Sequence, residues 1–565
     1  MQVELKKAGK CIRWLMIRIH KRIPALLLLA FCNVLSSCLG VGYAVATRNV
    51  IDSATSGNKN VFLHACMILF AMIAIQLFCS FYSNHLTQRL GADMDRDFKR
   101  DIMHRILHSD YSQMSRFHSG DILYRLNSDV NSIVSSVLAI MASVFPLLAG
   151  LVAAVFVLFR MDPVFTVVIL AFCAGIALAT IGIQRYMVHL QKKSSESSGK
   201  VSAFFQEVIE KLVIIQALDV SEEIEKKSEE MLETRWQIFR KRKNMSMIMN
   251  IGSSSLGYLG SFVTLVWCAR KLLRGEMTFG GLTAMTSLVS QLKGPLLSLP
   301  QLMPRFVSIF AFIERLMEIT EVDEQPDLLE EDCGVLYEEL TKISAESLSF
   351  SYIGNLGERK QVINKASFSI MKGGLTVITG PSGVGKSTIL RLLLGIYRQD
   401  SGRLLMETDD RKIEINRSAR KMFSYAPQGN LLLSGTIRDN IRLSKPDAAD
   451  EQIKEAVYVS AMEEYIAELP NGLDTVLGEN GAGLSEGQIQ RISLARAVVS
   501  QAPILLLDEV TSSLDAKTER IVLERICALP NRTCIAVTHR PAVLELADWE
   551  LRVSEDKITL LPLSR

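Results

Sequence analysis

Five stretches of this chain contain no Asp, Glu, Lys or Arg: residues 23–47, 61–83, 133–159, 163–184 and 244–269. About 20 consecutive apolar residues cross the hydrocarbon core of a bilayer as a helix. Inside lipid every backbone N–H and C=O must find its partner within the segment, so each run has little choice but to be helical. A sixth run, 277–304, is long enough although it carries Lys293 and several prolines. Six spans place both ends of the chain on one side of the membrane. A hydrophobic fraction of 48% and a mean hydropathy of +0.22 fit a chain that lies partly in lipid.

Lys and Arg counts set the orientation. Segments 1–22, 84–132 and 185–243 hold 26 of them together, whereas the short connections 48–60, 160–162 and 270–276 hold 6. By the positive-inside rule the rich side is cytoplasmic, and both termini with it. Segments 84–132 and 185–243 are long, polar and nearly free of Gly and Pro. Structureless loops of that length are uncommon, so they read as helical extensions that turn back near 111–120 and 217–221. Before the first span, seven basic residues are interleaved with Ile12, Trp14, Leu15, Ile17 and Ile19, the pattern of a helix lying among lipid headgroups.

Composition changes after residue 315: residues 321–332 are acidic, contain Pro326 and read as a linker. From residue 343 onward, short strand-like runs alternate with helical patterns. The expected domains are an interfacial basic helix (1–22), a six-helix membrane domain (23–318), a linker (319–342) and a nucleotide-binding domain (343–565). The fold class is therefore an α-helical membrane domain with long cytoplasmic extensions, followed by an α/β P-loop ATPase domain. The net charge of only +3 gives no reason to expect a nucleic-acid partner. The ten cysteines form no CxxC pair, and no disulfide framework or zinc site is implied.

The octapeptide Gly380, Pro381, Ser382, Gly383, Val384, Gly385, Lys386, Ser387 fits GxxxxGK[ST] and directly follows an apolar strand-like run at 375–379. Glycines let bare backbone N–H groups close around the β- and γ-phosphates. The helix starting at Lys386 points its positive end at the same charge, Lys386 adds an ammonium, and Ser387 offers a hydroxyl to Mg²⁺. The run 505–507 then ends in Asp508 and Glu509. A buried parallel strand reads this way, and such sheets place ligands at the carboxyl ends of their strands. Asp508 is positioned to hold Mg²⁺ through water, and Glu509 to polarise an attacking water. Between these elements lie Tyr425, Ala426, Pro427 and Gln428, and the run Leu484, Ser485, Glu486, Gly487, Gln488, which opens a helical stretch able to receive a phosphate. His539 follows another apolar strand and is the only histidine in the C-terminal half, placed to meet a γ-phosphate.

The order 380–387, Gln428, 484–488, 505–509, 512–515 and His539 resembles the cassette of an ATP-binding cassette transporter, and the LSxGQ-like element at 484–488 is its most diagnostic part. Tyr352 stands where that family stacks an aromatic ring on adenine. Gly478, Glu479, Asn480 and Gly481 resemble its loop before the signature, and residues 120–130 are similar to a segment of its exporter-type members. Six spans followed by one cassette is the layout of a bacterial exporter half-transporter.

The resemblance implies that two cassettes meet head to tail, each ATP lying between one chain's P-loop and the other chain's signature helix. It carries over ATP and Mg²⁺ as cofactors and nucleotide contacts at Tyr352, the P-loop with Thr388, the signature and Asp515. It also carries over Ser387, Gln428 and Asp508 as metal-site residues, and Glu509, His539 and Gln428 as the catalytic set. Expected partners are a second half-transporter chain, identical or not, membrane lipids, and a hydrophobic or amphipathic transported substrate, since the spans are poor in charge. The expected place is the plasma membrane, multi-pass, with the ATPase domain cytoplasmic. An importer on the same fold, as for siderophores, and a regulatory cassette gating a channel are the alternatives. One departure stands out: Glu486 occupies the position where the signature usually has glycine.

Overall fold

The computed structural model describes residues 2–117, 119–322, 333–353, 358–429, 431–478, 483–538, 540–554 and 558–563. The chain divides into two compact units, Met1–His104 with Ser119–Thr320, and Arg105–His118 with Glu321–Arg565.

The first unit is entirely helical. Helices Ile23–Thr55, Lys59–His108, Pro163–Glu210, Ser221–Leu273 and Phe279–Thr320 cover five of the six expected spans. The sixth lies in a run from Gly120 to Met161 that passes through two π-helical turns, Arg125–Asp129 and Ile140–Val144. Among the described residues, four helices are long and apolar enough to cross a membrane, namely Lys7–Thr55, Lys59–His108, Gly120–Met161 and Ser221–Leu273. Helices of 48 to 53 residues rise about 70–80 Å, more than twice the thickness of a hydrocarbon core. The excess is the expected polar extension. Phe70, Phe78 and Phe81 are exposed on the apolar part of helix Lys59–His108, the mark of a surface that lipid covers.

Turns between spans are closed by specific caps. Asp162 lies between two helices with extended backbone; its carboxylate accepts from the Phe165 amide at 3.2 Å and Pro163 sits at the first helical position. The same buried carboxylate takes Lys271 at 2.6 Å and Trp267 at 3.0 Å, which fixes helix Ser221–Leu273 to this connection. Asp52 does the same elsewhere, accepting from the Gly280 amide and the Thr278 hydroxyl, each at 3.0 Å. A Cβ at Gly280 would lie 2.5 Å from the Arg48 carbonyl oxygen, so only glycine allows this approach.

Helix Gln2–Ile19 buries Cys11, Trp14 and Ile19 and leaves Ile12, Met16 and Ile17 exposed. Trp14 Nε1 donates to Thr320 Oγ1 at 3.1 Å, Arg18 pairs with Asp101 at 2.9 Å, and Arg22 reaches Asp93 and Asp97. A charged cluster joins the π turn at Arg125–Asp129 to the end of helix Phe279–Thr320. Arg125 pairs with Glu318 at 2.8 Å and with Asp121 at 2.9 Å, while Arg315 holds the fully buried Asp129 at 2.7 Å.

The second unit is a two-sheet α/β domain. One sheet has the order β2–β1–β4–β5, from β1 (Leu340–Ile353), β2 (Arg359–Met371), β4 (Ser401–Thr408) and β5 (Lys412–Glu414). The other runs β12–β11–β3–β10–β9–β6, from β3 (Gly374–Thr379), β6 (Phe423–Ala426), β9 (Ile504–Asp508), β10 (Thr533–Val537), β11 (Trp549–Val553) and β12 (Ile558–Pro562). A short pair, β7 (Gly435–Thr436) and β8 (Val476–Leu477), completes it. Strands β3, β6, β9, β10 and β11 are parallel, and β9 and β10 are buried along their whole length, as continuous apolar runs require. Because β3 and β9 flank β10 and run parallel to it, the loop after β3 and the acids ending β9 emerge at the same edge of the sheet, on either side of β10. The segment Arg105–His118 belongs to this unit: Asp110 caps the short helix Tyr111–Met114, and the Tyr111 ring lies 5.8 Å from that of Tyr397.

Candidate functional site

The loop that follows β3 is built on three glycines with positive φ: Gly380 at 145°, Gly383 at 82° and Gly385 at 106°. At Gly380 a Cβ would lie 2.2 Å from the Val553 carbonyl oxygen, and at Gly385 it would lie 2.7 Å from Val362 Cγ1. Side chains are therefore excluded twice over, by conformation and by space. Helix Lys386–Leu393 starts directly after Gly385. Lys386 Nζ donates to the Gly380 and Pro381 carbonyls at 2.9 and 2.8 Å, so the loop bends back over its own ammonium. Burial lowers the Lys386 pKa, against the opposing pull of Glu509 and Asp508.

Strand β9 delivers the partner groups. Asp508 is fully buried; its Oδ1 accepts from Ser387 Oγ at 2.8 Å and its Oδ2 from the Tyr425 hydroxyl at 3.1 Å. Burial first, and the Asp508 carboxylate second, push the Tyr425 phenol up to about 12, so it stays a donor. Glu509 has φ of 52°, the left-handed region that costs a non-glycine residue about 1 kcal/mol or more. Its amide donates to the Val537 carbonyl at 3.0 Å, and its Oε2 accepts from Gln428 Nε2 at 2.7 Å. This turn aims the carboxylate out of the sheet and into a cavity of about 810 Å³. Tyr352, Gly380, Pro381, Ser382, Gly383, Gly385, Lys386, Ser387, Thr388, Gln428 and Glu509 all line it. The Tyr352 hydroxyl lies 3.0 Å from Thr388 Oγ1, which holds the ring at the rim. A larger cavity of about 950 Å³, with Lys372, Lys421, Gln501 and Arg532 in its wall, opens at the amino ends of β3 and β10 instead. Sheets of this kind bind ligands at the opposite edge.

Leu484, Ser485, Glu486, Gly487 and Gln488 do not line the phosphate cavity. Ser485 and Gln488 form a capping box on helix Glu486–Val499: the Gln488 amide donates to Ser485 Oγ at 3.3 Å and the Ser485 amide to Gln488 Oε1 at 2.8 Å. Glu486, exposed in the first turn, adds a carboxylate where the helix dipole favours one. At Gly487 a Cβ would sit 3.1 Å from the Ser513 carbonyl oxygen, so glycine permits the signature to pack on the 512–515 loop. Asp515 caps its own helix, Ala516–Cys527, accepting from the Lys517 and Thr518 amides at 3.1 and 3.0 Å. His539 and the loop at 479–482 lie outside the described residues.

Two residues that sequence reasoning did not single out hold this second group together. Gln490 Nε2 reaches Ser512 Oγ at 2.9 Å and Ser513 Oγ at 3.2 Å. Arg540 donates to the carbonyls of Leu514 and Ser512 and to Glu519 Oε2 at 2.9 Å, tying the loop after β10 to the loop after β9. Arg540 stands next to His539 at a strand end, and that position was the available signal.

Two family models match in tandem, the ABC transporter transmembrane region over residues 26–296 and the ABC transporter over residues 363–512. The chain belongs to the ATP-binding cassette transporters. It is an ATP-hydrolysing transporter of the half-transporter layout, with one membrane domain and one cassette. A putative export ATP-binding/permease protein of Rickettsia felis is 24% identical over 563 residues, covering 98% of this chain and 95% of that protein. The ATP-dependent lipid A-core flippase of Vibrio cholerae is 24% identical over 550 residues, with coverage of 96% and 93%. The mycobactin import ATP-binding/permease protein IrtB of Mycobacterium tuberculosis is 40% identical over 218 residues, covering 38% of this chain and 37% of that protein. A bacterial Atm1-family ABC exporter solved with ATP bound has the same fold, at a TM-score of 0.79 and 22% identity, covering 96% of this chain and 94% of that one.

Proposed function

We propose that this ABC transporter exports or flips a hydrophobic or amphipathic substrate by alternating access, driven by ATP held between its own cassette and that of a second half-transporter chain. The observation that carries the reading is the split of the nucleotide machinery. Lys386, Ser387, Gln428 and Glu509 line one cavity, while Ser485 and Gln488 cap a helix whose residues are no part of it. Two chains arranged head to tail bring each half to the other's triphosphate. ATP then binds the closed pair better than the open pair, and that difference in affinity is what shifts the membrane helices.

In the assembled site Lys386 neutralises β- and γ-phosphate charge, and the three P-loop glycines present backbone N–H groups to it. Tyr352 stacks on the adenine. Ser387 and Asp508, whose oxygens meet at 2.8 Å, fit Mg²⁺, because that ion takes one or two protein oxygens and leaves its other positions to phosphate and water. Bound there, Mg²⁺ offsets the charge that builds on the phosphates. Glu509 orients and polarises the attacking water, with Gln428 fixing the carboxylate and His539 approaching the γ-phosphate. The cassette and both termini face the cytoplasm, and the membrane is the cell membrane.

Reconstitution in liposomes with the cassette outward tests the reading. Added MgATP moves a fluorescent phospholipid or a hydrophobic drug across the bilayer. Absence of nucleotide-dependent movement for every such compound contradicts it. The likeness to a mycobactin importer supports a second reading, uptake on the same fold, and the sign of movement in these vesicles separates the two.

A further inference from the structure

The membrane helices are poor in charge but not in hydrogen-bonding groups, and those groups are not scattered. A cavity of about 730 Å³ within the first unit has Asn33, Ser37, Tyr43, Gln76, Ser143 and Gln291 in its wall, among small and apolar residues. These six come from four different helices, Ile23–Thr55, Lys59–His108, Gly120–Met161 and Phe279–Thr320. Asn33 and Ser143 each stand ten residues beyond the basic-rich ends of the runs 23–47 and 133–159, about 15 Å into the bilayer at 1.5 Å per residue. Polar groups at that depth are costly when they face lipid. Their meeting in one hollow is therefore the placement of a polar occupant.

The wall is pre-set. Ser143 lies in the π turn Ile140–Val144, and Pro146 follows, so this helix is widened and lacks one N–H where it passes the cavity. Ser37 Oγ donates to the Pro146 carbonyl at 2.9 Å, and a Cβ at Gly150 would collide with that same Oγ at 2.3 Å. Asn33 Nδ2 donates to the Leu29 carbonyl at 2.9 Å and Gln291 Nε2 to the Gly40 carbonyl at 2.7 Å. Each amide spends one N–H inside the protein and keeps a second N–H and its carbonyl oxygen, so with the hydroxyls of Tyr43, Ser37 and Ser143 the wall offers neutral donors and acceptors. Among the described residues, no charged side chain lines it. A charged ligand would find no counter-ion among these residues, which is costly at low dielectric.

We infer that this cavity is the substrate site, and that it selects an amphiphile whose polar part is uncharged and carries hydrogen-bonding amide or hydroxyl groups. The inference rests on the transport reading above and narrows it to a substrate class. The π turn gives the site its width, and the neutral amides of Asn33 and Gln291 give it its preference.

Three probes of one chain length test it, in nanodiscs of phosphatidylcholine and phosphatidylglycerol holding the full protein: N-lauroyl-glutamine amide (neutral), N-lauroyl-lysine amide (cationic) and N-lauroyl-glutamate (anionic). Equilibrium binding of the neutral probe is at least tenfold tighter than of either charged one, and Gln291→Leu weakens it at least tenfold. Asn33→Asp, which keeps the shape and adds a carboxylate, shifts preference toward the cationic probe by at least tenfold. Equal binding of all three probes by the wild type, or an unchanged ranking in Asn33→Asp, overturns the inference. ATP hydrolysis in the same discs keeps the two readings apart: hydrolysis without probe selectivity removes only the substrate class, whereas absence of hydrolysis strikes the transporter reading itself.

Discussion

Gln428 Nε2 donates to Glu509 Oε2 at 2.7 Å, across 81 residues of sequence, and this bond orients the one carboxylate that β9 turns into the phosphate cavity. The Glu509 backbone holds a φ of 52° to make that possible. Strain kept at a strand end facing a cavity is the pattern of a working residue.

Replacing Glu509 with Gln keeps the shape and removes the base. ATP binding is retained while hydrolysis falls roughly 100- to 10,000-fold, the range of a lost general base. Phosphate release and nucleotide binding measured on one preparation check this. Wild-type turnover in Glu509→Gln contradicts the assignment.

Gly385→Ala is expected to weaken nucleotide binding without unfolding the cassette. Its new methyl group would lie 2.7 Å from Val362 Cγ1, at a φ of 106° that alanine resists. A shift of the loop by even 1 Å misplaces every phosphate donor. ATP affinity drops at least tenfold by equilibrium binding, and circular dichroism stays that of the wild type.

Glu486 carries two opposed effects. In the first turn of helix Glu486–Val499 it stabilises the helix by about 0.3–1 kcal/mol, and glycine there costs about as much again in propensity. A bound γ-phosphate at that same helix end is repelled by it. Glu486→Gly therefore lowers the melting temperature slightly and raises apparent ATP affinity and hydrolysis several-fold. Unchanged or weaker ATP affinity shows that the carboxylate points away from the nucleotide.

Arg315 neutralises Asp129, which is fully buried at the π turn of the helical unit. Arg315→Met leaves that carboxylate without its 2.7 Å partner, a loss of about 3 kcal/mol. Pairing it with Asp129→Asn recovers most of the loss, because the buried charge is gone as well. Thermal unfolding of the two single variants and the double variant in detergent forms the cycle, and strict additivity excludes the coupling.

Much of this layout was legible because membrane spans and phosphate loops obey local rules. A charge-free run of 22 or more residues has one backbone solution in lipid, and GPSGVGKS after an apolar strand has one geometry. The helical unit and the cavity around Lys386 follow from those patterns. Other features depend on contacts far apart in sequence. No local pattern tells that the Tyr111 ring meets that of Tyr397, that Gln490 and Arg540 hold the 512–515 loop, or that Glu509 takes a left-handed turn. The π turns at Arg125–Asp129 and Ile140–Val144 likewise leave the 3.6-residue periodicity almost untouched while changing which side chains converge.

Hydrogen exchange on the full-length Glu509→Gln protein, purified with whatever chain accompanies it, tests the central claim most directly. Peptides covering 380–388 and 484–488 are followed with and without MgATP. The account predicts that ATP slows exchange in both, and that Lys386→Ala abolishes both effects, because the signature is covered only by another chain's nucleotide. Protection confined to 380–388, with 484–488 exchanging as fast as before, would contradict it.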